Sequence, residues 1–423
     1  MKKEIEQNQI PTHVLIREAD LTLETVILLV LGVFMLLFGL LQIKIHSGDL
    51  PYNHDGTYGL LLVIVSLQII TMGKTPFGTF RRSWILVLIG IGTAVLGTIA
   101  CFIPDILSDF IHNLIGIILV TGGTALLLQL IFHKEKARQW IRIPSILQHL
   151  TFACGLVYLL EIIIGVVTLF PDSTMYPLNA VLYSLFGISF FYLAWCIQKV
   201  ASIYPQKESQ DSTITSSSTI AGGKKYHFLV QDASIPTNIT IFLLLGVVFI
   251  QFTILLVPIS LGVFPFSKSS QVGLLMVIMA IQVLALGKTP IGEYKRSWLL
   301  IMAGLFIASV GIYSCIIPGL LTDEMLILLG SWNLITGSVN LFKLTFPILK
   351  NIYRPPAKPV SVSPLIKKLH RIAALLHLAT MVFGINLLFV GIIPDMVIIV
   401  TLFCLGVLFL ALAYFQAKIP PSN

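Results

Sequence analysis

Charged residues are scarce in this 423-residue chain: Asp, Glu, Lys and Arg together make up 11% of it, against about 25% in an average soluble protein. Apolar residues make up 56%, and the mean hydropathy is +0.94. This composition excludes a water-soluble globular fold. The polar remainder is confined to short loops, one linker and two tails. That leaves too few residues for a soluble catalytic domain, so we expect no enzymatic activity.

Patterns that hold metals, cofactors or nucleic acids are also missing. The five cysteines lie inside or at the ends of apolar segments and form no CxxC pair. The sequence contains no HExxH motif, nucleophile elbow or haem-type histidine pair, and no nucleic-acid-binding motif accompanies its net charge of +8. We therefore predict no metal, no cofactor and no nucleic-acid partner, and expect the lipid bilayer to be the main partner.

The chain contains twelve apolar segments, and most are long enough for the roughly 20 residues of a bilayer-crossing helix. The second and the eighth are shorter. The predicted spans are 24–45, 57–72, 84–103, 107–132, 147–170, 178–198, 238–259, 271–286, 298–317, 321–346, 366–390 and 396–416. The predicted fold class is all-α, a polytopic integral membrane protein with about twelve transmembrane helices.

Basic residues are distributed unevenly between the two sides of these spans. With both termini inside, 25 of the 27 Lys and Arg residues fall on the inner side, and only Lys44 and Lys268 fall on the outer side. The outer loops and helix ends carry acidic residues instead: Asp49, Asp55, Asp105, Asp109, Asp172, Asp323, Glu324 and Asp395. The positive-inside rule then predicts that the N- and C-termini are both cytoplasmic.

The chain also repeats itself. GKTPFGTFRRSW at 73–84 returns as GKTPIGEYKRSW at 287–298, an offset of 214 residues. Beyond the fourth span the offset becomes 219, which pairs Gly165 with Gly384. Six spans per half is an even number, so both halves have the same orientation and their pseudo-two-fold axis runs along the membrane normal.

Domain boundaries follow from this repeat. We predict a first six-helix membrane repeat at 1–200 and a second at 227–423. Between them, Ser or Thr occupies eight of the twelve positions of 209–220, a composition that buries too little apolar surface to become ordered. The segment 201–226 is therefore predicted to be a flexible cytoplasmic linker.

Glycines seven residues apart mark one face of several spans, because seven residues fall 20° short of two helical turns. Small residues on one face let two helix backbones approach closely in lipid. We therefore predict that each half consists of three helical hairpins packed through glycine faces. The pairs are Gly90 and Gly97, Gly116 and Gly123, Gly304 and Gly311, and Gly330 and Gly337.

Together with a tryptophan and a proline, these glycines form a ladder with steps of 6, 7, 7, 12 and 7 residues in both halves, starting at Trp84 and at Trp298. The ladder resembles the hairpin signature of the HdeD-like membrane proteins, a six-span family with a domain of unknown function. The resemblance is best over 83–132 and 297–346. It implies a tandem fusion of two units, a stress-associated (acid-resistance) role in the bacterial or archaeal cell membrane, and no enzymatic activity.

Glu161 is the carboxylate that lies deepest within a predicted span. A charge at mid-bilayer costs about 2.5–3.5 kcal/mol on insertion scales, so protonation, a partner or a water-filled cavity must offset it. Glu161 is therefore a candidate proton or substrate-coupling residue. The alternative is a protonated side chain that hydrogen-bonds to a neighbouring helix. Its counterpart in the second half is Thr380.

His377 and its counterpart Tyr158 lie seven residues before Gly384 and Gly165, on the close-packing faces. Because Tyr158 is one turn from Glu161, a Glu161–His377 pair across the pseudo-axis is a hypothesis for a group that titrates near physiological pH. The alternative is a histidine that is hydrogen-bonded within its own half.

The GKTP-containing loops are the most distinctive polar segments. One interpretation makes them two basic sites for anionic lipid headgroups or another membrane subunit. In the other, Gly and Pro form a tight turn, the cations set the topology, and Ser83 or Ser297 caps the next helix. The spacing does not match a phosphate-binding P-loop. The cations are Lys74, Arg81, Arg82, Lys288, Lys295 and Arg296.

Three functions remain open at this point. The first is a non-enzymatic HdeD-like membrane protein that acts in envelope stress or as a scaffold. The second is a secondary transporter or channel in which Glu161 couples protons or substrate. The third is an accessory anchor subunit of a larger membrane complex.

Overall fold

The computed structural model describes residues 21–71, 84–132, 146–170, 176–203, 237–285, 288–289, 292–293, 297–353 and 363–418. Twelve α-helices lie within these residues and coincide with the predicted spans, except that α6 and α10 extend further at their C-terminal ends. The helices are α1 Leu23–His46, α2 His54–Thr71, α3 Trp84–Phe102, α4 Ser108–Phe132, α5 Ile146–Leu169, α6 Tyr176–Ile203, α7 Thr237–Ser260, α8 Lys268–Ala285, α9 Trp298–Ile316, α10 Thr322–Tyr353, α11 Pro364–Leu388 and α12 Asp395–Ala417.

The described structure is all-α apart from one small hairpin, in which β1 (Lys288–Thr289) pairs antiparallel with β2 (Gly292–Glu293). Ten of the twelve described helices are long and apolar enough to cross a bilayer. The chain thus has the architecture of a multi-pass membrane protein. The predicted linker at 201–226 begins inside α6, which continues to Ile203, and the rest of it lies outside the described residues.

The two remaining helices, α2 and α8, have shorter apolar stretches, His54–Ile70 and Lys268–Leu284. Each helix has 18 residues, so each is about 27 Å long. Both lie at the centre of the bundle: Leu60 and Ile64 of α2 and Met276 of α8 are fully buried. Helices that are apolar on all sides are the ones expected in such a position.

Each half is held together by three closely packed helix pairs. In the first half α1 packs against α6, α2 against α3 and α4 against α5; in the second half α7 packs against α12, α8 against α9 and α10 against α11. Glycines allow the close approach, and a Cβ placed on Gly97 of α3 would lie 2.5 Å from the carbonyl oxygen of Gly59 on α2.

These pairs correct the prediction of three glycine-packed hairpins per half. Two pairs in each half are hairpins, whereas the third joins the first helix of the half to the last. The ladder over 83–132 spans α3 and α4, which contact each other only slightly, because their glycine faces are turned towards α2 and α5 respectively.

The two halves meet through α1, α2 and α3 on one side and α7, α8 and α9 on the other. The contacts come in equivalent pairs, since α1 packs against α9 as α7 packs against α3. Apolar side chains fill most of this interface, and the rings of Phe102 and Phe252 lie 4.6 Å apart between centroids. One polar contact crosses it at mid-depth, where Gln251 Nε2 donates to Val95 O at 2.7 Å.

Candidate functional site

Glu161 lies in the middle of α5 and faces α4. It is half-buried, and a Cβ placed on Gly122 would lie 3.3 Å from its Oε1 atom. A Cβ on Gly123 would lie 3.2 Å from Glu161 Cβ, so the two adjacent glycines of α4 leave the space that the side chain occupies. Within the described residues the carboxyl group makes no hydrogen bond or ion pair.

Tyr158 and His377 occupy equivalent positions in the two halves. A Cβ on Gly123 would lie 3.0 Å from the carbonyl oxygen of Tyr158, and a Cβ on Gly337 would lie 3.0 Å from that of His377. Both residues therefore lie on the close-packing faces, as the spacing predicts.

The hypothesis of a Glu161–His377 pair receives no support from this geometry. Helix α5 packs against α4 and α6, and α11 packs against α10 and α12. The halves meet through other helices, so α5 and α11 remain in separate halves, and neither residue bonds to the other among the described side chains.

The basic residues of the two GKTP-containing loops fall almost entirely outside the described residues. This holds for Lys74, Arg81, Arg82, Lys295 and Arg296. The backbone of Lys288 lies in β1, opposite Glu293. Ser297 caps α9, because its hydroxyl accepts a hydrogen bond from the Leu300 N–H at 3.3 Å.

The eight ladder glycines all lie at helix contacts. At each of them an added Cβ would come within 3.0 Å of an atom of a neighbouring helix. By contrast, a Cβ on Gly92 of α3 would have nothing within 4 Å. The ladder glycines that carry the seven-residue spacing therefore lie at close helix contacts.

A polar cluster that the sequence analysis missed joins the halves at the end of the bundle where α1 ends and α2 begins, called here the outer end. Asn53 N–H donates to Ile316 O at 2.9 Å, and Ser267 N–H donates to Phe102 O at 3.1 Å. These residues are related by the offset of 214, so the same backbone contact is made twice. Asn53 Nδ2 also donates to Ser270 Oγ at 2.6 Å.

The cysteines next to this cluster are buried and reduced. Cys101 Sγ donates to Gly56 O at 3.6 Å, and Cys315 Sγ donates to Ser270 O at 3.4 Å. The two contacts are again related by the offset of 214. Both thiols fill space at a helix contact, beside Gly59 and Gly273 respectively.

A histidine cluster, formed by His54, Tyr58 and His112, lies at the outer end of the first half only. The ring centroids of His54 and His112 are 5.4 Å apart, and the Tyr58 ring lies 4.4 Å from His54 and 5.4 Å from His112. Asp55 Oδ1 lies 3.7 Å from His54 Nδ1. The equivalent position of the second half holds Lys268, whose Nζ pairs with Asp323 Oδ1 at 3.1 Å.

A small cavity with room for about one water molecule lies beneath this cluster, inside the first half. Tyr58 belongs to both the cluster and the cavity wall, and the hydroxyl-bearing residues Thr57, Thr168 and Tyr183 also line the cavity. Glu161 does not line it.

On the loop that precedes α2, burial raises the pKa of the Tyr52 phenol above its usual value. A hydrogen bond with Thr57 lowers this pKa and partly offsets the effect of burial.

One signal in the sequence points to these missed residues. The offset of 214 aligns Asn53 with Ser267 and His54 with Lys268, and comparing the halves residue by residue isolates the positions where their chemistry differs. Short polar side chains at a helix start carry no motif of their own, so the contact between the halves is visible only in three dimensions.

Comparison with known proteins adds no family. No protein-family model, curated protein or solved structure matches the chain.

Proposed function

We propose that this chain is a non-enzymatic, HdeD-like membrane protein in which two six-helix units are fused in tandem to form a rigid helical scaffold. It lies in the cell membrane with both termini in the cytoplasm, and it serves in envelope or acid stress. The resemblance of the tryptophan–glycine–proline ladder supports the family, and the asymmetry of basic residues supports the orientation.

The observation that carries the scaffold role is the way the halves meet. Their interface is filled by rings and aliphatic side chains, and reciprocal backbone hydrogen bonds close its outer end. A transporter of this symmetry would place its path between the halves. The described interface consists of tightly packed side chains, which favours a fixed assembly over alternating access.

A transporter or channel is the second candidate, and one observation favours it. The Glu161 carboxyl lies within a span and has no hydrogen-bonding partner among the described residues. Ionisable groups in such positions commonly mark ion pathways. The third candidate, an anchor subunit, rests on the extensive apolar surface that the helices expose, among which Phe152, Met302 and Phe342 are each more than 60% exposed.

Flux through the reconstituted protein separates these functions. Wild-type protein and the Glu161→Gln variant are placed in liposomes, and proton and ion flux are followed from roughly pH 5 to pH 8, which brackets histidine titration. The scaffold proposal expects no flux above empty liposomes in either case. Flux in wild type that Glu161→Gln abolishes would overturn it in favour of the transporter.

Survival of cells at low pH tests the stress role. Cells that lack the gene are compared with cells complemented by wild type and by Glu161→Gln. We expect both versions to restore survival, because a scaffold does not depend on this carboxyl. Equal survival with and without the gene would contradict the stress role, and stable copurification with the subunits of one complex would favour the anchor.

A further inference from the structure

A cluster of cations and aromatic rings lies where α11 begins and α12 ends. It consists of Lys367, Lys368 and Arg371 of α11, together with Lys418 and the aromatic residues Tyr414 and Phe415 at the end of α12, and is called here the α11–α12 basic cluster. Lys418 Nζ lies 2.6 Å from the Tyr414 hydroxyl and 4.2 Å from its ring centroid. Lys368 Nζ lies 6.0 Å from the Phe415 centroid. All four cations are exposed.

Within the part of the chain that the structure describes, no carboxylate pairs with these cations. The sequence contains no Asp or Glu between Glu324 and Asp395, and none after Asp395. Those two residues lie at the opposite end of the bundle, in the first turns of α10 and α12. The four cations form no ion pair within the described residues.

Helix α11 makes the absence of a counter-charge more costly. Lys367 lies in its first turn and Lys368 directly after it, where the helix dipole is unfavourable for positive charge. The Ser363 side chain makes no capping hydrogen bond at this end. An external anion at the cluster would therefore relieve both the mutual repulsion of the cations and their interaction with the dipole.

The first half shows that the fold does not need these cations. At the offset of 219, Gln148, His149 and Phe152 stand where the second half has Lys367, Lys368 and Arg371. The lysine over an aromatic ring is kept, with Lys199 Nζ 5.0 Å from the Trp195 ring. The second half has thus added three positive charges to an otherwise shared arrangement.

The exposed surface below the cluster is apolar. Leu375, Leu378 and Val382 continue from Arg371 along one exposed face of α11, at helical spacings of four, three and four residues. Val400, Phe403 and Val407 form a similar exposed face on α12, seven residues or more before Tyr414. Cations therefore lie at the end of two adjacent apolar surfaces that are long enough to contact acyl chains.

We propose that the α11–α12 basic cluster binds the phosphodiester headgroup of an anionic phospholipid, whose acyl chains lie along the exposed faces of α11 and α12. The site differs from the two GKTP-containing loops, and it depends on membrane insertion but not on the scaffold role. Arg371 offers a planar fork of donors that suits a phosphate, while the lysines supply point charges.

Lipid retention by the purified full-length chain tests this. The protein is purified from equimolar phosphatidylglycerol and phosphatidylcholine, and bound lipid is measured by native mass spectrometry. We expect selective retention of phosphatidylglycerol in wild type. Lys367→Gln, Lys368→Gln and Arg371→Gln should each weaken it about fivefold, since each basic residue near an anionic surface contributes a comparable factor.

The matched control removes three cations that precede α5 in the sequence of the first half, with Lys134→Gln, Lys136→Gln and Arg138→Gln. This variant should leave the retention of phosphatidylglycerol unchanged. In the converse variant, Gln148→Lys, His149→Lys and Phe152→Arg should create a second retained lipid. A variant that combines Lys367→Gln, Lys368→Gln and Arg371→Gln should lose phosphatidylglycerol. If it retains as much phosphatidylglycerol as wild type, and its thermal midpoint in phosphatidylcholine is unchanged, the proposal is overturned. Displacement of the lipid by millimolar inorganic phosphate would also overturn it, by assigning the cluster to free phosphate.

Discussion

At the outer end of the interface between the halves the molecule makes the same backbone contact twice. The backbone bond from Asn53 to Ile316 is matched by the bond from Ser267 to Phe102. Within each half, the thiol contacts of Cys101 with Gly56 and of Cys315 with Ser270 are matched in the same way. Away from this interface the halves differ in their ionisable side chains. The two halves share these contacts and differ in the chemistry around them.

Three differences stand out. The histidine cluster of the first half is replaced by the Lys268–Asp323 ion pair in the second, and Glu161 is replaced by Thr380. Three of the four cations of the α11–α12 basic cluster, Lys367, Lys368 and Arg371, correspond to Gln148, His149 and Phe152 in the first half. Function specific to this chain is therefore best sought where the halves differ, and stability where they agree.

The largest effect is expected at the shared glycine contacts. Gly97→Val and Gly311→Val should each lower the free energy of unfolding by about 2 kcal/mol or more, because an added Cβ would lie 2.5 Å and 2.7 Å from the carbonyl oxygens of Gly59 and Gly273. Unfolding in detergent followed by circular dichroism measures this.

Gly92→Val provides the control on α3, since nothing lies within 4 Å of its added Cβ, and a change within about 0.5 kcal/mol is expected. Similar losses at Gly97 and Gly311 would support equivalent packing in the two halves. A loss of stability in Gly97→Val but not in Gly311→Val would show that the two halves are not packed in an equivalent way.

A smaller effect is expected where the backbone contacts match but the side chains do not. Asn53→Ala removes the donor to Ser270 and the acceptor of the Gly56 N–H, and should cost about 1–3 kcal/mol. Ser267→Ala keeps its backbone bond to Phe102 and loses the hydroxyl contacts with Asn53 Nδ2 at 3.3 Å and Ser270 Oγ at 2.8 Å, which should cost about 1 kcal/mol or less. Equal costs of the two variants in the same unfolding assay would contradict the larger contribution expected of the Asn53 side chain.

Much of the architecture was predictable because membrane spans are long apolar runs. All twelve predicted spans coincide with described helices. The helix that each glycine face contacts was not predictable, because a seven-residue spacing identifies a face and not the helix that it meets. The hypothesis of a Glu161–His377 pair receives no support for the same reason, since the main contacts between the halves are made by helices other than α5 and α11.

A smaller effect on stability is expected at the Lys268–Asp323 ion pair. Lys268→His gives the second half the residue that the first half has at the equivalent position, His54. The Nζ–Oδ1 distance of the pair is 3.1 Å, and both side chains are largely exposed, so Lys268→Gln should cost no more than about 0.5 kcal/mol at any pH between 5 and 8. Lys268→His should match wild type at pH 5, where the imidazole is charged, and match Lys268→Gln at pH 8. Unfolding at the two pH values measures this, and an equal loss at both would contradict it.

The smallest effect is expected at Asp49, in the loop between α1 and α2. A hydrogen bond from Ser47 Oγ at 2.8 Å, and then Lys44 at 3.4 Å, hold the pKa of this carboxyl below its usual range. Because the folded pKa is lowered, the contact stabilises the fold above the usual aspartate pKa and is lost as the pH falls through the lowered value. The carboxyl is exposed and screened by water, so Asp49→Asn should leave the unfolding midpoint nearly unchanged at neutral pH.

An NMR titration of the Asp49 carboxyl in micelles should therefore show the shift that the unfolding midpoint does not. Ser47→Ala should move the pKa back towards that of an ordinary aspartate by more than Lys44→Gln does, since the hydroxyl is the larger cause. The equivalent loop of the second half carries Leu261 and Val263 in exposed positions and has no carboxylate to titrate. If the pKa of Asp49 does not respond to Ser47→Ala, the shift is caused by Lys44. The second half has no lysine at the position equivalent to Lys44, so this lysine would then be part of the difference between the two loops.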